Sequence, residues 1–258
     1  MMKKTIFFCL FALFFAYAKG QITTYQPGEK IFYTIHYGLL KGGEVSLQLS
    51  RDTVNGIEAW HSVLDGRTVG LVDVFYEVRD IYESYINPAT ELPLKSVRNI
   101  SEGNYKRYNE VLFDHKTRQD SAILTSQASG IHITQQGIHD ILSCFYWFRN
   151  RILPGMHEMS IDDSFTITTW FTDELYPVIL KYKGTEIVKT KAGKIKAYKF
   201  NPVTEVGRLF KTQEDVSIWF SADKNFLPVK IRFNIFVGAF MVELVHYENL
   251  VYPLEIRY

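Results

Sequence analysis

The sequence predicts an all-β fold: a large antiparallel sandwich or partly open barrel of roughly fourteen strands, with one packed α-helix near residues 137–151. Three observations carry that expectation. Apolar and polar residues alternate with period 2 along most of the chain, turn residues interrupt the alternation at close intervals, and one segment shifts to helical spacing. Aromatic residues make up 15% of the chain, which suits strands with one buried face.

The first element is not a strand. Lys3 and Lys4 precede the apolar run Ile6–Tyr17, and small residues follow at Ala16, Ala18 and Gly20. A basic start, an apolar core of about 7–15 residues and a small-x-small site define a secretory signal. The run is shorter than the roughly 20 residues a spanning helix needs. Cleavage is expected after Gly20, with Ala18 the alternative, so residues 1–20 read as a signal peptide and residues 21–258 as a single β domain. Cys9 lies within the apolar core after Phe7 and Phe8, a poor context for lipid attachment. Export takes Lys3, Lys4 and Lys19 with it and moves the formal net charge from +1 to −2, which argues against a nucleic-acid partner. Cys144 is then the only thiol left; no intrachain disulfide can form, and a buried small hydrophobe is the expected role.

The strands follow in order. Ile31, Tyr33, Ile35 and Tyr37 share one face, opposite Phe32, Thr34 and His36. After Gly42-Gly43, Val45, Leu47 and Leu49 alternate with polar residues, so the two runs read as a hairpin. Asn55-Gly56 is a hairpin turn signal ahead of a strand near Ile57–Leu64. Further runs are Arg79–Ile86, Leu94–Ser101, Tyr105–Phe113, Ser121–Thr125 and Ile131–Thr134. Beyond the helix come Ser164–Phe171, Val178–Tyr182, Glu186–Thr190 and Lys194–Phe200, then Asp215–Phe220, Leu227–Phe236 and Phe240–Tyr247. In Gly137–Arg151, Ile138, Ile141, Leu142, Phe145 and Phe148 recur at helical spacings, which predicts an amphipathic helix packed on the sheet by its aromatic face.

Chemistry-bearing motifs are sparse. No P-loop, dinucleotide turn, Gly-x-Ser-x-Gly elbow or His-Glu-x-x-His helix occurs, so no cofactor and no catalytic residues are expected. His132 and His139 are seven apart, not a metal-ligand spacing. Asp162-Asp163 and Asp173-Glu174 read as turn residues; a hydrolase would need two of them brought together in space. Lys181, Lys183, Lys189, Lys191, Lys194, Lys196 and Lys199 make one sheet face or edge basic, as edge protection or as a surface for an anionic partner. At the C-terminus Tyr252, Leu254, Ile256 and Tyr258 alternate in the manner of an outer-membrane barrel strand, although most runs fall short of the 9–11 residues such a strand needs.

A set of landmarks, taken in order, is similar to a bacterial family of exported proteins known as domain of unknown function 3108. They begin with Gly28-Glu29, Tyr33, Tyr37-Gly38, Gly43-Glu44, the run Arg79–Tyr85, Arg98, Glu102–Tyr105 and Phe113-Asp114. They continue with Asp140–Ser143, Phe145-Tyr146, Arg149, Gly155, Gly184–Glu186, Trp219, Ser221–Asp223, Pro228 and Glu243. Ile81 departs from the pattern, where a polar or basic residue is expected. The resemblance implies an all-β protein of the periplasm or cell envelope and assigns no activity.

The functional expectation is an exported envelope protein of a Gram-negative bacterium. It binds, without catalysis, an apolar or amphiphilic ligand or an envelope protein partner. A glycan-binding module is the alternative, ahead of a hydrolase or an outer-membrane barrel. Phe145, Tyr146, Trp170 and Trp219 are the residues expected to line a ligand site, since aromatic rings serve lipid chains and sugars alike.

Overall fold

A computed structural model describes residues 24–203, 212, 215–235 and 237–257. The proposed signal peptide, Cys9 and Tyr258 lie outside the described residues. The described chain is all-β, as expected, with few helices.

The strands are β1 (Lys30–Tyr37), β2 (Leu40–Val54), β3 (Ile57–Thr68), β4 (Arg79–Ile86), β5 (Pro93–Glu102), β6 (Tyr105–Asp114), β7 (Ser121–Ser126) and β8 (Gly130–Gln135). After the helical segment come β9 (Ser164–Phe171), β10 (Glu174–Thr190), β11 (Gly193–Pro202), β12 (Val216–Ser221), β13 (Pro228–Asn234), β14 (Ala239–Glu248) and β15 (Ile256–Arg257). Helices are α1 (Gly70–Phe75), α2 (Ile141–Arg151) and a 3₁₀ segment at Leu153–Glu158. All fifteen strands belong to one antiparallel sheet. Its order is β8-β7-β6-β5-β4-β3-β2-β1-β14-β13-β12-β11-β10-β9, with β15 alongside β11. The sheet is not closed, for β8 and β9 remain as edges, whereas a membrane-spanning barrel must pair every strand.

Two strands differ from the runs read in the sequence. Val178–Tyr182 and Glu186–Thr190 are halves of the single strand β10, which keeps pairing with β11 across an irregularity between Tyr182 and Thr185. The two-residue β15 is all that the C-terminal alternation delivers: Leu254 is buried, but the chain around Tyr252 is irregular, and Asn225 holds it by accepting the Tyr252 N–H and donating to its carbonyl. Gly193, at φ +136°, turns the β10–β11 hairpin where the Ile256 side chain of β15 packs against it. Gly193→Ala is expected to cost about 1–2 kcal/mol through strain and overlap; an unchanged unfolding midpoint would show that β15 moves off β11 without loss.

The helical segment differs from the expectation at its start. Gly137 is a turn residue at φ +74°, and residues 138–140 are not yet helical: the His139 N–H donates to the Thr168 carbonyl and the Trp170 N–H to that of His139, a bridge onto edge strand β9. The helix begins after Asp140 because a capping box stops it there. The Asp140 carboxylate accepts from the backbone N–H groups of Leu142 and Ser143 at 2.8 and 2.9 Å, and the Ser143 hydroxyl accepts the Asp140 N–H at 3.0 Å. Ser84 on β4 adds a 2.5 Å hydrogen bond to the same carboxylate.

The amphipathic expectation is also corrected, because α2 is buried around most of its circumference. Leu142 and Tyr146 join a cluster with Tyr33, Leu47, Ile86, Val229 and Leu244; Cys144 and Phe148 join another with Leu180, Phe200 and Phe220. The sheet therefore wraps the helix instead of offering it one face. Each large apolar side chain so buried contributes about 1.5–3 kcal/mol, and Cys144 is the buried small hydrophobe expected of it, its thiol pushed up to about 12 by burial. The unclosed gap is bridged by the His139–Thr169 pairing and by Asp173 in the β9–β10 turn. Asp173 accepts from Arg107 (3.1 Å) and Asn109 (2.9 Å) of β6 and from Ser126 (2.6 Å) of β7.

Candidate functional site

The hairpin register places Ile31, Tyr33, Ile35 and Tyr37 on the inner face, as alternation predicts. Ile31, Tyr33 and Ile35 pack in the core around α2, while Ile35 and Tyr37 also line a recess further along the strand. Alternation carries on past the point where the core is full. The surplus apolar residues form a mouth of about 410 Å³ at one end of the wrapped sheet.

Tyr37, Leu40, Leu64, Val72 and Phe240 contribute to its apolar wall, and Tyr82 also lines it. Gly66 makes the room: a Cβ there would meet nothing nearer than 3.9 Å, so the glycine leaves open space that a larger residue would occupy. Helix α1 crosses the rim without burying any of its residues. It is held by an ion pair at its base, where Asp73 accepts from both Arg79 guanidinium nitrogens and from the Thr68 hydroxyl; these bonds hold its carboxyl at about 2. Phe75 (86% exposed), Val74 and Leu71 on α1, Leu39 in the β1–β2 turn and Val237 in the β13–β14 turn all stand out into solvent. Exposed large apolar residues gathered around an apolar recess mark an interaction site; scattered singly they would not. At the rim, burial and then Lys191 hold the His36 imidazole below its ordinary value, so it adds no charge near neutrality.

Behind Tyr82 lies a second, smaller cavity of about 50 Å³, between β4–β6, the start of α2 and the β9–β10 turn. Its walls are mixed: Arg98, Arg107, Asn109 and Asp173 meet Trp170 and Phe171 beside the aliphatic Val97, Val111, Ile141 and Leu142. Burial, followed by the neighbouring Asp80 carboxylate, raises the Glu102 carboxyl close by. Among the described residues no three His, Cys, Asp or Glu side chains gather in a metal-binding group.

The family model described as "Protein of unknown function (DUF3108)" matches residues 33–245, from β1 into β14 and so across nearly the whole described fold. The chain belongs to the DUF3108 family. A likeness of fold extends further, to the crystal structure of a beta-barrel-like protein of domain of unknown function DUF1849 from Brucella abortus. The TM-score is 0.57 at 8% identity, over 87% of this chain and 98% of that one, a likeness of fold alone. No curated protein matches the chain.

In this DUF3108 chain the four aromatic residues expected at a ligand site are dispersed. Tyr146, on α2, is fully buried, with its ring 4.6 Å from that of Tyr25. Phe145 packs between the two main clusters. Trp219, 6% exposed, donates its indole N–H to Glu186 at 2.5 Å and lies under Lys199. Trp170, 8% exposed, lines the small cavity. None of the four lines the apolar mouth, whose wall comes from ordinary strand residues and from α1.

Asp162, Asp163 and Asp173 lie in turns or connections, and Glu174 opens β10. Asp162 has φ +73° and pairs with Lys183, Asp163 accepts from the Ser160 N–H, and Asp173 has φ +65° and faces β6 and β7. Sequence reasoning missed the mouth because Leu64, Tyr37 and Phe240 belong to alternating runs that equally describe core. The one local signal was Gly70–Phe75 (GLVDVF), an apolar run without the period-2 alternation of the strands.

Proposed function

We propose that the chain is an exported, non-enzymatic envelope protein of a Gram-negative bacterium that holds the apolar part of an amphiphilic ligand in the mouth between β1–β3, α1 and β14. The observation that carries this reading is the 410 Å³ apolar recess, open to solvent and ringed by exposed Leu39, Leu71, Val74, Phe75 and Val237. Ligand pockets run from about 300 to 1,000 Å³ and are lined mainly by apolar and aromatic side chains. The signal-like N-terminus supports export, since a basic start and a short apolar core suit secretion. A glycan module would present exposed rings as a flat platform, and Trp170 and Trp219 are instead buried.

The test is native mass spectrometry, with lipid extraction, of the protein purified from its own envelope and after incubation with a sixteen-carbon chain. Gly66→Leu fills the recess with little disturbance elsewhere. It is expected to lower occupancy at least about tenfold, the worth of an apolar contact of this size, without lowering the unfolding midpoint. A wild-type protein that carries no apolar ligand and takes up none would overturn the reading.

A further inference from the structure

The small cavity behind Tyr82 has an unusual imbalance of donors and acceptors. Its acids are already engaged: Asp173 accepts from Arg107, Asn109 and Ser126, and Asp140 accepts from Ser84, Leu142 and Ser143. Glu83 is bound to His61 at 2.7 Å. Two donors remain. Arg98 Nε and Trp170 Nε1 are both buried with no protein acceptor, and both side chains line this one cavity.

The Arg98 guanidinium lies over the rings of Tyr82 and Phe171, its central carbon 5.9 and 5.1 Å from their centroids. Those faces, the Tyr82 hydroxyl and the nearby Glu102 carboxyl offset part of its charge, yet Nε itself has no acceptor. Arg107, on the same wall, has Asp173 at 3.1 Å; Arg98 has no carboxylate within ion-pair distance among the described residues. A buried N–H left without an acceptor is costly, and two of them on side chains that line one space call for an acceptor beside it. About 50 Å³ suits a single small oxyanion group and excludes a sugar ring.

We infer that this cavity receives the head group of the ligand, and that the head group is a carboxylate. Its oxygens accept from Arg98 Nε and Trp170 Nε1, while the chain passes Tyr82, which lines both spaces, into the apolar mouth. The ligand class is then a long-chain carboxylate of the fatty-acid type. This assignment rests on the proposed role of the mouth.

The experiment compares hexadecanoate with hexadecan-1-ol, equal in chain and different in head group, by titration of the intrinsic tryptophan fluorescence at pH 8. Hexadecanoate is expected to bind at least about tenfold more tightly, the worth of a charge-assisted hydrogen bond. Arg98→Gln should abolish the preference, and Trp170→Phe, which keeps the ring and removes the donor, should reduce it by several-fold. Equal affinity of the acid and the alcohol for the wild-type protein would overturn the head-group assignment and leave the mouth intact as a binding site. Failure of both to bind would overturn the two readings together. A folded Arg98→Gln protein that keeps the preference would also overturn the assignment; should that variant not fold, the wild-type comparison and Trp170→Phe decide it.

Discussion

Arg149→Ala should lower the free energy of unfolding by about 3–5 kcal/mol, the cost of breaking a buried ion pair from one side. Arg149 and Glu29 side chains are 0% and 1% exposed, and the guanidinium meets the carboxylate through two bonds of 2.7 and 3.0 Å. It also donates to the carbonyls of Thr24 and Asn225 and lies over the rings of Tyr25, Phe145 and Tyr146. One side chain of α2 thus ties down the N-terminal segment, the β12–β13 loop and the first hairpin. Alanine leaves the Glu29 charge and both carbonyls buried without their donor. Pairing Arg149→Met with Glu29→Leu removes both charges and should restore much of the loss, since apolar replacement of a buried pair is often close to neutral. Denaturant midpoints of the single and double variants give the answer, and a single variant within 1 kcal/mol of wild type would refute the assigned role.

Asp140 should make stability fall between about pH 4 and pH 6. Burial pushes its carboxyl up to about 6 from the ordinary 3.8, against the opposing pull of Ser84, Ser143 and the helix N–H groups. A group whose folded value lies above its unfolded value stabilises fully below the unfolded value. That contribution is lost as pH rises through the folded one, because ionisation inside the protein is then forced without solvent. A shift of this size corresponds to about 2–3 kcal/mol. Asp140→Asn mimics the protonated acid, with its carbonyl on the helix cap and its amide on Ser84. From pH 4 to pH 7 its stability should therefore rise relative to wild type by about that amount. Parallel unfolding curves at the two pH values measure it, and a constant offset would mean that Asp140 does not titrate abnormally.

Much of the fold was legible because strand alternation has a short period and few competitors. The faces of β1 and β2, the Asn55-Gly56 turn and the break at Asn87-Pro88 follow from residue type alone. The start of α2 needed more. Asp140 followed three residues later by Ser143 is a weak cap signature, and Ile138 continues the helical spacing into a stretch that bridges to β9 before the helix begins. The surroundings of the charged side chains were harder still. Arg149 and Arg151 sit two apart at the end of one helix, yet the first is fully buried and the second is partly exposed and paired with Glu91. Nothing local separates them, because their environments are built by loops far away in sequence. The same holds for Arg98, which has no carboxylate within ion-pair distance among the described residues, a property of four strands and a turn.

The strand order describes two meanders laid side by side. Strands β1 to β8 add outward one after another, and β9 to β14 add inward, so nearly every pairing is between sequence neighbours. The exceptions are the short β15 against β11 and, far larger, β1 with β14, which joins Lys30–Tyr37 to the far end of the chain. In kinetic terms each meander can assemble from short loops, and only one closure must span most of the polypeptide. The entropy of that closure grows slowly with length, by about 0.6 kcal/mol per doubling. A sheet this large can therefore form without the many long-range searches that slow most β proteins, with the β1–β14 zipper as its late and decisive step.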